Sequence, residues 1–238
     1  MSATIKIGLT DKLYLRDPEQ TELGRKIIAE SIQIIDALGF EQFTFKKLAT
    51  AIGSTEASVY RYFESKHKLL IYLISWYWAW LDYQIHFQAN NVKDPCERLR
   101  IVLRVLAANE GSTAGFTHID ERALYRIVVA EASKAYLTKE VDDDNKEGLF
   151  GEYKDLCHRI AQIIEEINPQ YPYPHALVST LFESARKQLF FAQHLPSLTE
   201  VKAGNTSKPL ISIVEFLEHL AFSALQAPVT RRWAESEA

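Results

Sequence analysis

Apolar positions along the chain recur at helical spacing, and no strand-type alternation rises above background. From Thr21 to Leu38, residues Ile27, Ile28, Ile32, Ile34, Ile35 and Leu38 form a broad apolar face. Thr21 or Glu22 opens this helix and Gly39 closes it. Phe45, Leu48, Ala49 and Ile52 repeat the pattern over a shorter span. Thr44 stands where its hydroxyl can accept a free N–H of the first turn, and Gly53 where a left-handed residue ends the helix without steric cost. Ser54 or Thr55 opens a brief helix from Glu56 to Phe63. Ser65 to Ala89 reads as one long helix with Leu69, Leu70, Leu73, Ile74, Tyr77 and Leu81 in a stripe. Trp76, Trp78, Trp80, Tyr83 and Phe87 occupy its other faces, so several neighbours must cover it.

Asp94-Pro95-Cys96-Glu97 combines a cap, a proline at the first helical position and a glutamate three residues after the cap. The helix it opens runs to about Asn109, and a loop follows over 110–115. Further helices are expected at Thr117–Leu137, Glu147–Ile167, His175–His194 and Pro209–Ala227. The acidic run Asp142-Asp143-Asp144-Asn145 lacks the spaced ligands and closing glutamate of a calcium loop and reads as a solvated linker. Tyr171-Pro172-Tyr173-Pro174 reads as a rigid bend. Residues 1–20 show no helical period and read as a disordered arm or an arm packed on the body; a tail without function is the plainer reading, although Lys6, Lys12 and Arg16 permit a basic arm that enters a minor groove. The expected fold is all-α with about nine helices: a three-helix headpiece at 21–66 and a helical bundle at 67–228.

Composition narrows the class. The 238 residues are 47% hydrophobic and 24% charged, ordinary for a globular protein. Cys96 and Cys157 offer no disulfide framework, which suits a reducing cytoplasm, and neither a membrane span nor a signal-peptide core is visible. A net charge of −4 argues against indiscriminate coating of nucleic acid. Locally, however, Lys46, Lys47, Arg61, Lys66 and Lys68 face only Glu56 and Glu64 between Thr44 and Leu70, which suits site-specific DNA binding. A solvated helix face is the plainer reading of that charge.

Helix, glycine-containing turn and helix is the layout that sets a second helix into a DNA major groove. The run Ala49-Thr50-Ala51-Ile52-Gly53, followed by Val59-Tyr60-Arg61-Tyr62-Phe63, Ser65-Lys66 and Leu69-Leu70, resembles the TetR family of bacterial transcriptional repressors. The resemblance extends upstream over Arg25 to Phe43 and covers about the first third of the chain. Ser54 and Glu56 depart from the family pattern. The resemblance implies a homodimeric repressor, without enzymatic activity or cofactor, that leaves a palindromic operator when a small molecule binds the second domain.

On this reading, double-stranded DNA is met by Thr44, Lys46, Thr55, Glu56, Ala57, Ser58, Tyr60, Arg61 and Lys66. Lys46, Tyr60 and Lys66 serve phosphates, with Tyr60 and Lys66 matching family backbone contacts. Residues 55–58 open the recognition helix, where Glu56 accepts from a cytosine amino group or simply complements the helix dipole. An apolar or aromatic effector would meet Trp76, Tyr83, Phe87 and Tyr125, with His86 and Arg122 as polar anchors; plain core packing is the alternative for the aromatics. Leu181, Leu189, Phe216 and Leu220 are the expected dimer contacts, or else pack within one chain. His118, Asp120 and Glu121 lie close in sequence but are poorly aligned for a metal, and no metal is expected. The rival reading is a helical enzyme or ligand-binding protein with a degenerate headpiece that does not bind DNA.

Overall fold

The computed structural model describes residues 7–107, 118–202 and 209–226, and the described residues form eleven α-helices and no strand. In chain order they are α1 Glu22–Leu38, α2 Phe45–Ala51, α3 Glu56–Tyr60, α4 Lys66–Ala89, α5 Pro95–Ala107, α6 Glu121–Glu131, α7 Ser133–Tyr136, α8 Val141–Lys146, α9 Gly151–Ile167, α10 Pro174–His194 and α11 Pro209–Gln226. The all-α expectation holds, with two helices more than the apolar period indicates. One is α7, which follows α6 after the single residue Ala132. The other is α8, where a solvated linker is expected. Loop 110–115, Lys6 and the chain beyond Gln226 lie outside the described residues.

Two compact units divide the fold. The first takes the described residues of 1–84 and 108–156, and the second those of 85–107 and 157–238. The divisions fall inside α4, after Gln84, and inside α9, after Leu156.

In the first unit, the core of α1 is Ile27, Ile28, Ile32 and Ile35, all buried, whereas Ile34 is half-buried and Leu38 is exposed beside the terminating Gly39. Phe43, Phe45, Leu48, Val59, Tyr62 and Phe63 close the headpiece over this face. Burial is near complete along α4 from Leu69 to Trp78, as its all-round apolar sequence requires. Phe63 meets Tyr72 edge to face at 5.3 Å, and burial pushes the Tyr72 phenol well above its usual range.

Residues 7–20 are not a free tail. Leu13 is 1% exposed, and Leu15 N donates to Tyr62 O at 2.8 Å. Tyr14 packs edge to face on Tyr72 at 6.1 Å, and the Arg16 guanidinium lies over the Tyr62 ring at 5.5 Å. Asp17 caps a turn over Pro18–Gln20, and Pro18 then presses against Gly24 of α1. A single buried leucine held by distant partners leaves no period in the sequence, so pattern reading leaves a packed arm and a free tail undistinguished.

The second unit packs α10, α11 and α5 against one another. α11 presents Ile213, Leu217, Ala221 and Leu225 every four residues, all buried. Arg98 pairs with Glu166, Arg100 lies over the Phe222 ring at 5.1 Å, and Asn168 Nδ2 donates to Leu225 O at 2.8 Å.

Candidate nucleic-acid interface

Each helix of the α2–α3 pair is started by its own hydroxyl. Thr44 Oγ1 accepts Lys47 N at 3.2 Å, and Thr55 Oγ1 accepts Ser58 N at 3.2 Å, satisfying donors that have no intrahelical partner. Between them Gly53 adopts φ +63°, and Ser54 N donates back to Ala49 O at 2.8 Å. That six-to-one bond across a left-handed glycine is a Schellman closure. α3 ends at Tyr60, earlier than Phe63, because Tyr62 and Phe63 turn inward as core.

Packing of Val59 inward leaves the opposite residues outward. Lys46, Thr55, Glu56, Ala57, Tyr60 and Arg61 are exposed, as is Thr44, and Ser58 is half-buried with its hydroxyl 2.9 Å from that of Thr55. Tyr60 rests edge-on against Phe45 at 4.9 Å while remaining 50% exposed. Lys46 and Arg61 have no ion-pair partner among the described residues, so their charge is available to an anion. Glu56, first residue of α3, sits at the positive end of a helix dipole.

Lys66 stands apart from this group. Its ammonium donates toward Phe40 O at 3.2 Å and toward Glu41 O and Phe43 O at 3.4 Å, over the Phe40 ring at 4.7 Å. These contacts tie α4 to the α1–α2 connection. Lys66→Ala is expected to lower stability by about 1–3 kcal/mol in urea unfolding, because three carbonyls lose a charged donor. An unchanged midpoint would refute this structural role, and a flattened salt dependence of DNA binding in the same variant would assign Lys66 to phosphate contact as well.

The same connection is gripped from α6. Glu131, 8% exposed, accepts Phe40 N at 3.1 Å and pairs with Lys134 at 2.9 Å; Lys134 also reaches Glu41 at 3.1 Å. The bond to Glu131 holds the Lys134 ammonium above its usual range. Arg126 of α6 clasps Asp36 of α1 through two bonds of 2.9 and 2.6 Å, and Gln33 reaches Asp120 at 3.3 Å. Asp120 accepts Ala123 N, which holds its carboxyl below the usual range. At α8, Asp144 is buried against His67 at 3.0 Å and Lys68 at 3.3 Å, and Lys68 reaches Glu147 at 2.7 Å. Burial opposes the Lys68 charge, but Glu147 and Asp144 outweigh it and raise its pKa. Apart from Glu131–Lys134 and Asp120–Ala123, each three residues apart, these partners are distant in sequence, so no local signal reveals them.

Of the effector candidates, Trp76 and Tyr125 are buried in the first unit, and Tyr125 lies 6.1 Å from Tyr77. Tyr83, His86, Phe87 and Arg122 are exposed. Of the dimer candidates, Leu181 and Leu189 are buried within the second unit, whereas Phe216 is exposed and Leu220 half-buried. Among the described residues no helix is long and apolar enough to cross a membrane, and no cluster of three metal-ligating side chains occurs.

These features define an all-helical protein with an intact helix-turn-helix headpiece. The sequence profile described as "Bacterial regulatory proteins, tetR family" matches residues 27–73, which are α1 to the first part of α4. The headpiece is therefore similar to the DNA-binding domain of the TetR family. It is 36% identical over 83 residues to a nucleoid occlusion factor SlmA of Vibrio vulnificus and 32% identical over 104 residues to that of Vibrio cholerae. These alignments take in 35% and 40% of this chain and only 42% and 53% of those relatives. Among solved structures, the fatty acid degradation regulator FadR of Bacillus halodurans is similar in fold, with TM-score 0.59, 16% identity, and 93% of this chain and 100% of that one covered. FadR of Bacillus subtilis in complex with stearoyl-CoA gives TM-score 0.61 at 15% identity over 84% and 97% of the two chains. AibR in complex with isovaleryl coenzyme A and operator DNA gives TM-score 0.55 at 15% identity over 82% and 97%.

Proposed function

We propose that this chain is a DNA-binding transcriptional regulator, a repressor without enzymatic activity, that grips a palindromic operator as a homodimer. The observation that carries the reading is the headpiece. Both helices are capped, the turn is closed by a left-handed glycine, and the unburied positions of α2 and α3 hold cations and small polar side chains. A degenerate headpiece has no need of that combination. Lys46, Tyr60 and Arg61 serve phosphates with Thr44 beside them, and Thr55, Glu56, Ala57 and Ser58 meet base edges. Phe216 and Leu220 supply apolar surface for the partner copy.

The effector in this reading is an apolar small molecule, with the aromatic residues of α4 and α6 on its binding side. Two fold neighbours hold acyl-coenzyme A esters, which makes acyl thioesters the first compounds to screen. Its leverage on DNA runs through Glu131, Arg126 and Asp144, which tie α6 and α8 to the headpiece and to the start of α4.

Selection of bound sequences from a random DNA pool, followed by anisotropy titration, tests the function directly. A palindromic site bound by two copies is the expected outcome, and failure to enrich any sequence overturns the reading. Lys46→Ala should weaken binding to every sequence and reduce the salt slope by about one unit. An unaltered slope would remove Lys46 from the phosphate contacts.

A further inference from the structure

We infer that the segment 7–20 is part of the DNA interface, with the Arg16 guanidinium as a phosphate contact beside the end of the recognition helix. This role presupposes the DNA binding proposed above and adds to that surface a residue from outside the helix-turn-helix. The segment is joined twice to the chain just past α3. Leu15 N donates to Tyr62 O at 2.8 Å, and the Arg16 guanidinium lies over the Tyr62 ring at 5.5 Å. Tyr62 follows the exposed Arg61 and stands just beyond Tyr60, the last residue of α3. A duplex major groove is about 12 Å wide, little more than the diameter of a helix with its side chains. A helix seated there brings whatever flanks its end against the phosphate strands that wall the groove. Arg16 is such a flank.

The cation is also available. Arg16 is exposed, and its guanidinium has no hydrogen-bond acceptor and no carboxylate partner among the described residues. The acids nearest in sequence face other groups. Asp17 accepts Glu19 N at 2.9 Å and the Gln20 amide at 3.0 Å, and Glu19 meets His118 at 3.0 Å. An aromatic ring attracts the guanidinium charge without consuming the forked N–H donors that match phosphate. Lys66 is the contrast, since its ammonium is directed to three carbonyls. The main chain that carries Arg16 is already ordered. Leu13 is buried on one side of it, Pro18 is buried against Gly24 on the other, and Tyr14 packs on Tyr72. Little backbone ordering therefore opposes the contact. A contact of this kind adds affinity and fixes register without reading sequence.

The test is an anisotropy titration of the full chain against its selected operator and an unrelated duplex, over a series of salt concentrations. Arg16→Ala should weaken both complexes by roughly tenfold at fixed salt. The salt slope should fall by about 0.9 for each copy bound. Arg16→Lys should keep the parent slope, because the charge remains. Hydroxyl-radical footprinting of the Arg16→Ala complex should lose protection only at the sugars flanking each half-site. A parent chain that binds DNA while Arg16→Ala keeps its slope overturns this role and leaves the proposed function standing; Arg16 then only packs on Tyr62, and the thermal midpoint alone falls. Weakening of the operator complex without weakening of the unrelated duplex makes Arg16 a base contact and equally overturns the phosphate role. A parent chain that binds no DNA overturns both.

Discussion

Glu131→Ala will lower stability by about 2–3 kcal/mol and free the Phe40 corner of the headpiece from α6, with the Arg126–Asp36 clasp still in place. One carboxylate accepts the buried Phe40 N–H and holds the Lys134 ammonium. Its removal leaves a donor without a partner in a dry site, the costly half of the hydrogen-bond asymmetry. The Lys134 pair counts for less, because that lysine is 38% exposed and keeps Glu41. Glu131→Gln preserves an acceptor and is expected to cost about 1 kcal/mol. Hydrogen exchange at the Phe40 amide is the direct readout. It should accelerate strongly in the alanine variant and little in the glutamine variant, and equal protection in all three proteins would refute the assignment.

Gly24→Ala will have a comparable effect for a different reason. A Cβ at Gly24 would lie 2.2 Å from Pro18 O and 2.6 Å from Pro18 Cα. Both are backbone atoms, so no rotamer relieves the clash and the segment 7–20 must come away from α1. With it go the buried Leu13 and the bond from Leu15 N to Tyr62 O. The expected loss is about 3 kcal/mol, a fall of about 10 °C in thermal midpoint. Proteases should then cut between residues 10 and 20. Gly53→Ala makes a useful contrast: open space surrounds that position, and only φ +63° resists a side chain, at about 1–2 kcal/mol. If the two variants melt alike, the packing of the N-terminal segment contributes less than its contacts indicate.

These two sites also mark where the sequence stops being readable. The bonds around Thr44, Gly53 and Thr55 span three to five residues, so the helix-turn-helix and its caps follow from local chemistry. The long α4 is equally plain, since a helix apolar on every side has to be buried. Leu13, Lys66, Glu131 and Asp144 are different. Lys66, Glu131 and Asp144 are held by residues 23 to 91 positions away, and Leu13 is one of three leucines in its segment, of which it alone is buried. α8 shows the point most clearly. Its composition is that of a solvated linker, and only Lys68 and His67, brought alongside by the fold, give Asp144 a reason to be buried. The effector and dimer candidates, drawn from apolar composition, were harder still, because a stripe of leucines looks the same whether it meets its own chain or another.

Of the five residues in α3, only Val59 is buried. The cap belongs to Thr55 and the turn to Gly53, both outside the helix, so Glu56 and Ala57 contribute little to holding the headpiece together, and the Ser58 side chain adds only its hydroxyl contact with Thr55. On the proposed function, the address read on DNA is thereby uncoupled from the scaffold that presents it. Substitutions at these three positions can accumulate without passing through an unfolded intermediate. In an evolving lineage the headpiece is free to acquire a new operator at little cost in stability, and in the laboratory the same three positions form a compact library for redirecting it.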